Sequence, residues 1–254
     1  MHIKDRIVVV TGAASGIGRA LAHRFKAEGA KLVVCSDIDG DGVKATAEAV
    51  GGVAFRTNVG VEADIQHLID TVEADHGPIH LFFSNAGIGV GGGAEASNER
   101  WQRIWDINVM SHVWAARHLV PRMAARGGGY LVSTASAAGL LSQIGSAPYA
   151  VTKHAAVALA EWLAITHGDE GIKVSVLCPQ AVRTKMTAGN PRGVASVDGM
   201  LEPEDVAECC VRAIEAEDFL ILPHPQVLEY MRRKTGDYDR WIRGMRKLNR
   251  QYRG

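Results

Sequence analysis

Tyr149 and Lys153 stand four positions apart in the stretch "PYAVTKHA", behind a serine and a proline, Ser146 and Pro148, that suit an N-cap and first helical turn. Residues at this spacing share a helix face, so the pair could move a proton. A free phenol titrates near 10 and is a poor base at neutrality. An ammonium within about 4–6 Å favours the phenolate. Lowering the phenol by about three units takes about 4 kcal/mol of preferential stabilisation of the anion. Ser136, at the end of the apolar run "GYLVSTAS", precedes this helix. A strand terminus and the first turn of the next helix both lie at the C-terminal edge of a parallel sheet. Ser136 can therefore hold a substrate oxygen and stabilise charge developing on it.

A second constellation lies near the N-terminus. The run "RIVVVTG" leads into "TGAASGIG", with Gly12, Gly16 and Gly18 between a strand and a helix. Glycines there let the backbone approach a pyrophosphate, and the helix offers that anion its unpaired N–H groups. Asp37 ends the next apolar run about 20 residues after Gly18. Its carboxylate can accept from both ribose hydroxyls of an adenosine and would repel a 2′-phosphate. Ser36 and Ile38 flank it, and Ser15 in the glycine loop is uncharged. The expected cofactor is NAD rather than NADP, and its positive nicotinamide would also favour the phenolate.

The elements that must position these groups are read from apolar runs. Strands are expected over 6–12, 31–37, 53–59, 79–87, 129–136, 173–179 and 219–223. Most are nearly continuous β-branched runs, as in parallel sheets covered on both faces. Between them, Ile17–Glu28 and Glu62–His76 repeat apolar residues at three and four. The expected fold is α/β: a single-domain, Rossmann-type doubly wound parallel sheet of about seven strands, with helices on both faces. With no linker or repeat, residues 1–254 read as one domain. Loops 87–97 and 183–199 follow strand ends and are expected to border a substrate.

Composition narrows the function. A formal net charge of zero argues against nucleic acid as a partner. Four cysteines without Cys-x-x-Cys spacing read as buried thiols of a reducing cytosol, and ten scattered histidines form no metal-ligand pair. A strand pattern begins almost at once, and no apolar run approaches the roughly 20 residues of a membrane span. A cytoplasmic protein is expected.

In order along the chain come "TGAASGIG", "SNAG" (84–87), Asn108 within "DINV", Ser136 and "YAVTK". This set resembles the short-chain dehydrogenase/reductase family over essentially the whole chain. The resemblance implies an NAD-dependent oxidoreductase acting on a secondary alcohol or ketone. Tyr149 would be the acid/base, Lys153 its activator and a ribose ligand, and Asn108 would help hold a water linking Lys153 to solvent. The cofactor would lie along Gly12, Ser15, Gly16, Ile17, Gly18, Asp37 and Ile38. Asn58 and Val59 would stand near the adenine, Asn85, Ala86 and Gly87 by the adenosine ribose, and Pro179, Val182 and Thr184 by the nicotinamide. Ser136, Gln143, Tyr149 and Gln180 would meet the substrate. No metal is implied, and a homotetramer or homodimer is.

Gln180 stands where the family usually has glycine, which brings a side chain to the substrate pocket. Enoyl reductases space tyrosine and lysine more widely. A non-catalytic NAD-sensing or interaction protein is the rival from another class, and it has no need of a tuned phenol. The last stretch, 231–254, carries nine basic and two acidic residues. Trp241, Met245, Leu248 and Tyr252 fall on one stripe of a helix expected over about 225–252. That helix is expected to pack on its own domain or a sister subunit. Trp101, Trp105 and Trp114 are read as core or interface.

Overall fold

The computed structural model describes residues 1–189 and 193–252. Asn190, Pro191 and Arg192 of the expected loop, and Arg253 and Gly254, lie outside the described residues.

All seven expected strands form: β1 (Ile7–Thr11), β2 (Leu32–Asp37), β3 (Val53–Arg56), β4 (Leu81–Ser84), β5 (Gly129–Thr134), β6 (Ile172–Leu177) and β7 (Leu220–Ile221). They build one parallel sheet in the order β3-β2-β1-β4-β5-β6-β7. Period-two alternation divides its side chains between two cores. Val8 and Val10 join Leu21, Phe25 and Ile214 on one face, while Ile7 and Val9 join Ile65, Leu68 and Leu119 on the other. Burial on both faces is why β1 could carry an unbroken valine run: Val8, Val9 and Val10 are 0% exposed.

The helices are α1 (Gly16–Ala27), α2 (Gly40–Val50), α3 (Glu62–His76), α4 (Asn98–Trp105), α5 (Ser111–Ala125), α6 (Ala138–Leu141), α7 (Ala147–His167), α8 (Pro203–Ala216), α9 (Gln226–Gly236) and α10 (Tyr238–Tyr252). A π-helical turn, Asp106–Met110, joins α4 to α5. The strand order reverses at β1, which pairs with β2 on one side and β4 on the other. Ligands of open α/β sheets bind beyond the C-terminal ends of strands at such a switch point.

One expectation needs correction. The basic C-terminal helix is two helices, because Asp237 is extended (φ −155°, ψ 94°) and ends α9. Its carboxylate then accepts from Arg240 N at 2.9 Å, as an N-cap of α10 does. Among the described residues no helix is long and apolar enough to cross a membrane.

Candidate active site

The glycine turn forms as its spacing predicts. Gly12 and Gly16 adopt φ of +69° and +52°, the left-handed region that favours glycine. Gly18 is needed for a different reason: a Cβ there would lie 2.1 Å from Gly12 O, so strand and helix could not approach. Gly18→Ala is expected to lower the melting temperature by several degrees and weaken dinucleotide binding, although alanine is ordinarily the better helix former by about 1 kcal/mol. An unchanged melting curve would remove this packing role.

The turn opens onto a cavity of about 460 Å³ lined by Ser15, Gly16, Arg19, Arg183, Lys185 and Thr184. The Ser15 side chain does not cap α1, and no acid stands in its first turn. Free N–H groups at a helix N-terminus, with arginine and lysine facing them, fit a pyrophosphate. Ile17 packs against the first core. At the end of β2, Asp37 is held on both carboxylate oxygens, by Ala14 N and Asp39 N, each at 3.0 Å. The carboxylate is thus fixed beside the glycine turn, with further lone pairs to spare. Ile38 next to it is 59% exposed. The register also brings Arg56 of β3 opposite Asp37, and its Nε donates to Ile38 O at 3.4 Å. Inspection of the residues adjoining Asp37 in the chain missed this cation.

Several residues expected at the cofactor also serve as framework. Asn85 donates Nδ2 to Thr11 O at 3.0 Å and accepts at Oδ1 from Thr134 Oγ1 at 3.1 Å. Thr11 Oγ1 in turn accepts from Asn85 N and Ala86 N, at 2.9 and 3.0 Å. The amide of Asn85 therefore clamps the ends of β1 and β5 across β4. Val59 is buried in the second core, so its backbone is what remains free to face a ligand. Asn58 accepts at Oδ1 from Gly60 N at 3.1 Å and donates its backbone N–H to Asp64. Val182 is 3% exposed and bridges Leu201, while Thr184 stands 3.0 Å from where a Cβ on Gly16 would be.

The side chains expected to react gather near the ends of β4, β5 and β6. Asn108 sits on the π-turn, a feature frequent at functional sites. Its amide exchanges hydrogen bonds with the Ile88 backbone, 2.9 and 3.0 Å, and donates to Thr152 Oγ1 at 3.3 Å. A Cβ on Gly87 would lie 3.3 Å from Asn108 Oδ1 and 3.4 Å from Lys153 Nζ, so the three positions converge. Ser146 caps α7 by accepting from Tyr149 N, which sets Tyr149 and Lys153 on its first turns. Ser136 Oγ donates to Pro179 O at 3.4 Å and accepts from Ala138 N at 3.1 Å.

The electrostatics differ from the expected pattern. Burial pushes the Tyr149 phenol up, and a hydrogen bond with Ser136 opposes the rise. Lys153 donates to Thr134 O at 2.8 Å and lies 5.7 Å from the Tyr149 ring centroid. Burial lowers its ammonium to about 8. In this arrangement desolvation outweighs the Ser136 hydrogen bond, and the phenol is held protonated at neutral pH. His112, four positions after Asn108, stays neutral as well: burial lowers it to about 3, with Lys153 adding to the shift. Spacing alone missed Thr134 and Thr152, although both lie inside the quoted motifs, "STAS" and "YAVTK".

A larger cavity, about 960 Å³, adjoins this cluster and is lined by Ser136, Gln143 and Gln180. Tyr149 lies outside the lining and reaches it through Ser136. Gln180 N donates to His224 Nδ1 at 3.2 Å, and Gln180 Oε1 is buried without a partner. Of the two expected loops, 183–199 contributes Val194, Ala195 and Val197. Loop 87–97 lies outside the lining. It braces the start of α7 instead, with Gly92 N donating to Gly145 O and Ala147 N donating to Gly92 O. Trp241, Met245 and Leu248 of α10 join the lining, so the amphipathic stripe faces this chain's own cavity.

A family model described as short chain dehydrogenase matches residues 6–194. The chain is 36% identical over 253 residues to 1-deoxy-11-beta-hydroxypentalenate dehydrogenase of Streptomyces exfoliatus, covering 95% of this chain and 91% of that protein. It is 33% identical over 229 residues to meso-2,3-butanediol dehydrogenase of Serratia marcescens, covering 86% and 90%. A short chain dehydrogenase/reductase from Burkholderia phymatum, solved in complex with NAD, aligns with a TM-score of 0.87 at 30% identity, covering 94% and 96%.

Proposed function

This chain belongs to the short-chain dehydrogenase/reductase family, and on that premise we propose that it is an NAD-dependent oxidoreductase interconverting a secondary alcohol and its ketone. The observation that carries this reading is the meeting of Ser136, Tyr149 and Lys153 beside a cavity that Ser136 lines, in a fold whose glycine turn opens onto a second cavity suited to a pyrophosphate. Bound in the first cavity, the dinucleotide would accept or supply the hydride. Ser136 holds the substrate oxygen. Tyr149 takes the hydroxyl proton in oxidation and returns it in reduction. Lys153, pinned on Thr134 O, sets the charge beside the phenol, and Asn108 fixes the turn against which Lys153 sits.

The test is incubation with NAD and a panel of secondary alcohols, following NADH absorbance. No turnover across steroids, sugars, polyols and hydroxyacyl compounds would overturn the reading.

Asp37 supports NAD over NADP, because a 2′-phosphate would have to approach its fixed carboxylate while the Arg56 Nε is engaged at Ile38 O. Calorimetry is expected to give at least tenfold tighter binding of NAD, about 1.4 kcal/mol. Equal affinities would refute this role for Asp37. The same reading includes a homotetramer or homodimer. Trp162 and Ile165 on α7 are 56% and 83% exposed, an apolar surface a second subunit would cover. It also includes a cytoplasmic location, supported by four free thiols.

A further inference from the structure

The lining of the larger cavity is chemically mixed. Ser136, beyond β5, contributes a hydroxyl. At the C-terminal end of the chain, α9 and α10 supply an apolar wall, Trp241, Met245 and Leu248, and two exposed arginines, Arg233 and Arg240. A volume of about 960 Å³ stands near the top of the range for small-molecule sites, about 300–1,000 Å³. Gly244 also faces it and leaves that wall open, since a Cβ there would meet nothing within 4 Å. The space fits a bulky or extended apolar body rather than a small alcohol.

The charges at this end are unequal in their availability. Arg233 Nε donates to Glu229 Oε1 at 3.0 Å. Asp237, the one acid in the lining, accepts at Oδ1 from Arg240 N to cap α10. The Arg240 guanidinium has no ion-pair partner among the described residues. An arginine in the lining without an ion-pair partner, beside an apolar wall, favours an anion on whatever fills the cavity. The flat fork of arginine matches a carboxylate in two parallel hydrogen bonds.

We propose that the substrate is a hydroxy acid, or the matching keto acid, with a large apolar body between its carbinol and its carboxylate. This rests on the oxidoreductase reading above. The carbinol lies at Ser136, the body lies along Trp241, Met245 and Leu248, and the carboxylate pairs with Arg240. Arg233 adds attraction at the mouth, where charges act chiefly on orientation and on-rate.

The test compares kcat/KM for three hydroxy acids with that for their methyl esters, using the full chain and NAD. The probes are lithocholate, 9-hydroxydecanoate and 4-hydroxycyclohexanecarboxylate. The expected result is a preference of tenfold or more for an acid over its ester, greater for the larger bodies. In Arg240→Ala that ratio falls towards one, and in Arg240→Lys, which keeps the charge and loses the fork, it recovers in part. Melting curves of both variants check that α10 still packs. Equal use of acid and ester, an unchanged ratio in Arg240→Ala, or a preference for 9-hydroxydecanoyl coenzyme A over the free acid would overturn the proposal. Turnover of neutral alcohols without any of the acids would overturn it and leave the oxidoreductase reading standing. Failure of every alcohol, acid and ester would remove both.

Discussion

Tyr149→Phe is expected to lower kcat by about two to four orders of magnitude, the range of positioned acid–base catalysis, while the dissociation constant for NAD stays within about twofold. The substitution removes one hydroxyl from a half-buried ring and leaves the α7 cap at Ser146 in place, so the fold should persist. Ser136 keeps its contacts to Pro179 O and Ala138 N, and the cavity keeps its shape. What would be lost, on the proposed function, is the group that exchanges a proton with the substrate oxygen. Direction matters too. Burial raises the wild-type phenol above its ordinary value near 10, so it is protonated at neutral pH. Reduction, which needs an acid, should therefore proceed at neutral pH, and alcohol oxidation, which needs the phenolate, should accelerate as pH rises. Steady-state profiles of kcat/KM in both directions test this. Retained turnover in Tyr149→Phe, or oxidation that falls with rising pH, would be fatal to the assignment.

How far such a site can be read from the chain depends on what kind of information fixes each part. The strands were legible because residues buried on both faces admit only apolar types, and Val8, Val9 and Val10 show that constraint directly. The Ser136–Tyr149–Lys153 set was legible because its members sit at a strand end and on one helix face, relations that spacing encodes. Partners brought together across the sheet were not. Arg56 stands opposite Asp37 through β2–β3 register, and nothing adjoining Asp37 in the chain announces it. The bonds of the Asn85 amide to Thr11 and Thr134 span three strands, and no spacing announces them.

Loop 87–97 shows a related limit. Its glycines advertise backbone freedom but not the partner, which proved to be the start of α7 at Gly145 and Ala147. The break at Asp237 was readable in principle, since an aspartate three residues before Arg240 is an N-cap signal. The apolar stripe continues across it and masks the stop. The tuning of the phenol was least legible of all. Spacing placed Lys153 beside Tyr149, whereas the direction of each shift is set by burial in the folded chain.

Lys153→Met is therefore expected to do two opposite things: reduce turnover by at least a hundredfold and raise the melting temperature at neutral pH. The sign follows from linkage. The ammonium titrates at about 8 in the folded chain against 10.5 unfolded, because burial penalises its charge. Below pH 8 both states carry the proton, and the folded state bears the full penalty, about 3 kcal/mol by the size of the shift. Between about 8 and 10.5 the unfolded chain binds more proton than the folded one, so wild-type stability from this group rises with pH and levels off above. Methionine keeps the stem and removes the charge. It also deprives Thr134 O of its donor, which returns about 1 kcal/mol. The net gain, about 2 kcal/mol, corresponds to about 4–8 °C for a chain of this size. Melting curves of both proteins at pH 7 and above pH about 10.5 decide the matter. The variant should lead at the lower pH and lose that lead at the higher. A lead of the same size at both would mean that the gain comes from packing. No lead at pH 7 would mean that Lys153 carries no buried-charge penalty.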